Sequence, residues 1–210
     1  MTKHFQWALV SLIFVFGSSL LWAKYKVRDI QVKPAKQYSA HQDFQNIVIA
    51  AHPCETEAKT LELFDTDKLH RKGILPVLVV VENNNDFAIR IHERDIFFLD
   101  QEGTNHPSIP YPQVLLHITL KKPLSDYSTR PELLVRQVVD KKMIMDFEHK
   151  AFGEKLVAPG SSDYGVLFFW LPQEGDLAGR RLYIPEILDV TNGAQLMFFE
   201  FEVETTGKVK

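Results

Sequence analysis

The stretch GILPVLVVVEN, Gly73 to Asn83, decides how the fold is read. Val77 to Val81 is β-branched-rich and apolar at consecutive positions, so it predicts a strand with both faces covered, as in the middle of a sandwich. The run Asn83-Asn84-Asn85-Asp86 follows, and these side chains tolerate positive φ, which predicts a turn. Phe87, Ile89 and Ile91 then alternate with Ala88, Arg90 and His92. That is the period of a half-buried strand, paired back onto the first by a hairpin.

The same reading extends outward. Ile47–Ala51 predicts a strand ended by His52-Pro53, and residues 55–64 predict one or two turns of helix stopped at Asp65-Thr66-Asp67. Asp95–Asp100 reads as a strand closed by Gln101-Glu102-Gly103, and 104–112, with Pro107, Pro110 and Pro112, as a loop. The apolar run 114–120 fits strand or helix, because periodicity alone cannot separate them over so few residues. Over 131–152, Leu134, Val135, Val138, Val139, Met143, Met145 and Phe147 recur at three- and four-residue steps between charged residues. With Pro131 near its start, this predicts an inserted amphipathic helix. Strands return at 156–161, with a Pro159-Gly160 turn, at 165–171 and at 181–184. Asn192-Gly193 between the runs 187–190 and 195–203 signals a hairpin. Seven or more short strands without βαβ alternation predict a mainly β, immunoglobulin-like sandwich over 46–204, with the helical insert at 131–152. Residues 24–45 read as linker or edge strand, and 205–210 as a polar tail.

The amino terminus points to export. Lys3 and His4 precede an apolar run, Trp7 to Phe16, broken by Gly17-Ser18-Ser19 and followed by Leu20 to Ala23. This order predicts a signal peptide over 1–23, cut after Ala23, although Leu21 is large for the third position before a cut. The alternative is a retained membrane anchor, since 5–23 carries no Asp, Glu, Lys or Arg and is just long enough to span the hydrocarbon. The expected location is extracytoplasmic, in the periplasm or secreted, with or without an anchor. The lone cysteine, Cys54, allows no intramolecular disulfide, and a body of this size can bury enough apolar surface without one. A formal net charge of −3 with scattered Lys and Arg gives no footprint for nucleic acid.

The elements GILPVLVVVEN at 73–83 and FEHKAFGEKLVAPGSSDYGVLFFWL at 147–171 resemble a group of uncharacterised exported bacterial proteins. The resemblance implies an immunoglobulin-like sandwich behind a signal or lipoprotein leader, and it brings no known activity or binding residues. This chain departs from the lipoprotein members in having no cysteine after its leader.

Few residues offer chemistry. In His52-Pro53-Cys54-Glu55 a histidine could serve a thiolate nucleophile, yet no second site completes a triad, and a small buried thiol at a strand end is the competing reading. The histidines at 41, 52, 70, 92, 106, 117 and 149 are isolated, and His92-Glu93 lacks a second histidine at the zincin step, so no metal site is expected. Gly160-Ser161-Ser162-Asp163 has the wrong glycine frame for a nucleophile elbow. Asp95, Asp100 and Glu102 are solvated acids at strand and turn ends. Phe168, Phe169, Trp170, Phe198, Phe199 and Phe201 read as core and packed edge before they read as a sugar-binding face.

The expectation is therefore a non-enzymatic envelope module that meets another protein or a membrane surface, with no catalytic residues, metal ligands or cofactor and with binding residues left unassigned. Two alternatives stand beside it. One is a small-ligand or carbohydrate module using Trp170 or Tyr183 as stacking platforms. The other, more remote, is a hydrolase using Cys54 with a histidine.

Overall fold

A computed structural model describes residues 25–121, 130–170, 179–196 and 198–202. The expected leader, 1–23, and tail, 205–210, lie outside the described residues.

The predicted central strand is β3, Ile74–Asn83, with only Glu82 short of full burial. It pairs antiparallel with β2, Ile47–Pro53, on one side and with β8, Ser161–Trp170, on the other. The outer edge is β1, His41–Phe44, joined to β2 through Gln45-Asn46 at φ 48° and 60°. Two consecutive residues with positive φ are what a two-residue hairpin needs to match strand twist. Alternation sorts the side chains of β3. Ile74, Leu78 and Val80 enter one apolar cluster, whereas Leu75, Val77, Val79 and Val81 enter another. The central strand β3 is thus buried on both faces, as its unbroken apolar run requires, while the edge strand β1 is exposed.

One face meets two further antiparallel sheets. In the first, β4 (Ile89–His92) lies between β10 (Leu188–Asp189) and β7 (Glu154–Val157). In the second the order is β11 (Phe199–Glu202), β9 (Arg181–Ile184), β5 (Phe97–Leu99), β6 (Asn105–Pro107). The expected hairpin from β3 to the strand at 87–92 does not form, because that strand pairs in a different layer. Asn83 explains the change. Its buried amide donates to the Phe87 carbonyl at 2.7 Å and the Val157 carbonyl at 3.1 Å, while its oxygen accepts from the Asn85 N–H at 3.1 Å. The chain therefore turns a pinned corner between layers instead of a tight reversal. The Asn192-Gly193 turn is present, with Leu196 N–H donating to Ile187 at 2.7 Å, but the following strand leaves it to pair with β9.

The other face carries helices: α1 (Glu57–Leu63), α2 (Lys68–Arg71), α3 (Tyr111–Thr119), α4 (Pro131–Val138) and α5 (Lys141–Lys150). The ambiguous run at 114–120 is helical, with Val114, Leu115, Leu116 and Ile118 buried. Residues 131–152 form two helices where one was expected. Val139 is extended, and the Asp140 carboxylate accepts from the N–H of Lys142 at 2.8 Å, capping a new start. The described body thus mixes mostly antiparallel sheets with a full helical layer.

Residues 25–40, expected as linker or edge strand, pack along this layer without forming a strand, and only His41–Phe44 beyond them is an edge strand. Ala35 is fully buried and donates its N–H to Glu82 at 2.7 Å, while Ile30 and Val32 lean on the helical cluster.

Candidate functional site

The sequence candidate His52-Pro53-Cys54-Glu55 sits where β2 ends, beside a cleft of about 650 Å³. The 28–39 segment forms one wall, with Arg28, Lys33 and Tyr38, and α1 forms the other, with Ala58, Leu61 and Glu62. His52 and Cys54 both line it, and the Tyr38 ring tilts over the His52 ring at 5.6 Å between centroids. The thiol is not poised for attack. Cys54 is 2% exposed, and its sulfur contacts the His52 carbonyl oxygen at 4.0 Å. Burial pushes the thiol up to about 12, against a smaller opposing pull from Lys59. Burial, with Lys59 adding to it, also lowers His52, which favours neutral imidazole. A protonated thiol beside a neutral base is not set up for nucleophilic attack, and the buried-thiol reading fits this geometry.

A second polar cluster lies inside the helical cluster, and sequence reasoning missed it. Tyr25 Oη donates to Asp146 Oδ2 at 2.6 Å across 121 residues. Lys150 Nζ lies 2.7 Å from Asp146 Oδ1, an ion pair without hydrogen-bond alignment, and donates to the Leu63 carbonyl at 2.7 Å. Its ammonium also stands 5.2 Å from the centre of the Phe64 ring. Asp146 and Lys150 are 3% exposed each. Burial first, then the Asp146 hydrogen bond, drives the Tyr25 phenol upward, so it remains a donor. The available signal was Asp146 and Lys150 at a four-residue step around Phe147, charges on the apolar stripe of a helix. Nothing local marked Tyr25 as their partner.

The other candidates stay apart. His106 Nε2 meets Asp100 Oδ2 at 2.8 Å, and Asp100 Oδ1 accepts from the N–H of Glu102 and Thr104. This is a capped turn, and the His106 contact holds the Asp100 carboxyl below its usual range. Burial raises Glu93, beside His92, although the Gly153 N–H donates to it at 3.0 Å. Among the described residues no three His, Cys, Asp or Glu side chains gather as a metal site would need. Gly160-Ser161-Ser162-Asp163 is a turn into β8, with Gly160 at φ 62° and Ser161 N–H donating to Ala158 at 3.2 Å.

The aromatics divide. Phe168, Phe169, Phe199 and Phe201 are core. Trp170 is 47% exposed, with its ring edge-on to His117 at 4.7 Å. Tyr183, half-buried, lies between Phe97 at 5.1 Å and Phe198 at 5.3 Å, and Phe198 is itself half-exposed. Phe198 also borders a shallow groove of about 600 Å³ with Phe44, Arg181 and Glu202. There the Gln42 side chain pairs with both the N–H and the carbonyl of Glu200, linking edge strands β1 and β11.

No family model matches the chain, and no curated protein matches it. Among solved structures, it is similar to the crystal structure of the yjhA protein from Bacillus subtilis. The TM-score is 0.38 at 11% identity, over 70% of this chain and 78% of that one. So slight a likeness supports no statement about fold or role.

Proposed function

We propose that the chain is an exported, envelope-associated module of immunoglobulin-like type that works by contact and not by catalysis, engaging an envelope protein or the membrane surface. The observation that carries this reading is the run 5–23, apolar in character and without Asp, Glu, Lys or Arg. Tyr25, two residues beyond it, is already part of the core. The sandwich reading is supported by connections that cross between layers, β3 to β4 and β7 to β8. The non-catalytic reading is supported by the burial of Cys54 and the pairing of Asp146 and Lys150 with structural partners. Cell fractionation with amino-terminal sequencing tests it. Recovery outside the cytoplasm, beginning at Met1 or Lys24, is the expected result. Recovery of the intact chain dissolved in the cytoplasm would overturn the proposal.

The cleft between Tyr38, His52 and Leu61 favours a second reading, a small-ligand module, because its volume suits a small organic molecule and its lining mixes apolar Ile30, Leu61 and Leu78 with polar Arg28, Lys33 and Glu62. A metabolite and glycan panel read by thermal shift tests it. A shift lost in Tyr38→Ala supports the reading, and an unmoved melting temperature across the panel removes it.

A further inference from the structure

We propose that the outer edge of β11 docks an extended peptide of a partner protein, which pairs its main chain with Glu200 and Glu202 and displaces the Gln42 side chain. This deepens the contact reading above by naming the surface and the kind of partner, and it takes from that reading only that the chain works by contact.

β11 ends its sheet, with β9 on one side and, among the described residues, no strand on the other. In an antiparallel ladder the backbone groups of alternate residues point to opposite sides. The Glu200 N–H donates to Gln42 Oε1 at 3.3 Å, and the Glu200 carbonyl accepts from Gln42 Nε2. The groups of Glu200 therefore point away from β9, and by the same period so do those of Glu202. A primary amide that donates and accepts at one residue reproduces what the main chain of a neighbouring strand offers there. Gln42 itself stands on β1, the exposed end strand of the four-stranded sheet of β2, β3 and β8. The edge is thus held shut by a side-chain imitation of a peptide bond. An extended peptide makes the same two bonds and continues along the strand to Glu202.

The surroundings select among peptides. Phe44 and Phe198 are both exposed and border the groove beside this edge. Of the charged side chains in the groove, Arg181 pairs with Glu200 and Asp43 pairs with Lys36. Glu202 is exposed and makes no ion pair among the described residues, which leaves one negative charge uncompensated. Phe198 and Glu202 are four residues apart, an even step that sets both on one face of the strand. Side chains directly opposed across two strands lie within about 5 Å. The favoured peptide therefore carries an apolar residue beside Phe198 and, four positions along, a Lys or Arg beside Glu202.

The test pans the purified full chain and its Gln42→Ala variant against a displayed library of random peptides about ten residues long. Gln42 is exposed, so its truncation leaves the core intact. Selected peptides are then made with N-methyl groups on alternate amides, in each of the two frames. Apolar and basic residues at a four-residue step are expected, with affinity falling at least about tenfold in one frame of N-methylation and little in the other. Gln42→Ala, freed of the competing amide, is expected to bind several-fold tighter, and Glu202→Lys several-fold more weakly. Failure of both chains to select any peptide, or indifference to N-methylation in both frames, overturns the proposal. So does dimerisation of Gln42→Ala in place of peptide binding, which makes a second copy the occupant, or selection only by chain lacking 203–210, which makes the chain's own tail the occupant. Peptide binding by chain recovered from the cytoplasm supports the edge and removes the export reading, whereas an exported chain that selects no peptide removes the edge alone.

Discussion

The two faces of the central sheet are held by different physics. On the sheet side, β3 contributes Leu75, Val77, Val79 and Val81 to an apolar cluster, with Phe98 edge-on to Phe169 at 4.3 Å, and buried Asn83 and Asp189 bond backbone groups of the connections instead of an opposite charge. On the helical side a comparable cluster, centred on Phe64, Phe147 and Phe168, encloses an ion pair and a phenol that ties in the first described residue. A dry face tolerates changes of shape that keep its volume. A face built around buried charge depends on every partner being present, because each unpaired group is costly in low dielectric. The polar side also fastens chain segments far apart in sequence, which apolar contact does less selectively.

Substitutions can break this contrast. Lys150→Met leaves the Asp146 carboxylate buried and uncompensated and is expected to lower stability by about 3–5 kcal/mol, measured by urea unfolding. Phe169→Ala on the dry face is expected to cost a similar amount, about 3–5 kcal/mol, by leaving a cavity. The two differ in rescue. Adding Asp146→Leu to Lys150→Met removes the orphaned charge but leaves the Tyr25 phenol without its acceptor, so it restores part of the loss, whereas the same addition to Phe169→Ala makes matters worse. Tyr25→Phe keeps the ring and deletes one hydrogen bond to a carboxylate, for an expected loss of about 1.5–3 kcal/mol.

Gly165→Ala tests the place where β8 passes the chain that follows α5. A Cβ there would stand 2.5 Å from the Phe152 Cα, so a loss of about 1–3 kcal/mol is expected in thermal or urea unfolding. The smallest effect is titration of Cys54. An unfolded thiol ionises near about 8.5, whereas the folded one is pushed up to about 12. Between those values the unfolded chain binds fewer protons, so the stability contribution is full below the lower value and is lost as pH rises toward the upper one. Urea midpoints from pH 8 to pH 10 should fall more steeply in the native chain than in Cys54→Ala.

Much of the sheet was legible because period-two alternation and turn chemistry are local. Ile47–Ala51, Gly73–Asn83 and Arg181–Ile184 are strands as read, and the helix at 55–64 starts from a Thr56 cap. Pairing was less legible, since it depends on distant groups. The strand at 87–92 alternates as a hairpin arm would, yet Asn83 diverts it through contacts with Val157, some seventy residues away. The split at Val139-Asp140 was visible in principle, because Asp is a strong helix starter, but the apolar periodicity on both sides concealed it. At the candidate site, the sequence offered a buried thiol at a strand end as one of two readings of Cys54, and the burial that raises its thiol is visible only in the fold. The Tyr25–Asp146–Lys150 cluster was not legible, for a phenol in a polar stretch carries no mark of its partner.

The central claim is that Tyr25 is part of the folded core and that residues 25–40 belong to the helical face. Native-state hydrogen exchange measures this directly at the N–H of Lys26 and Ala35, which are bonded to Asp65 and Glu82. Protection of both, lost together with that of α5 in Tyr25→Phe, is the predicted result. Exchange at the rate of an unstructured peptide, with α5 still protected, would contradict it.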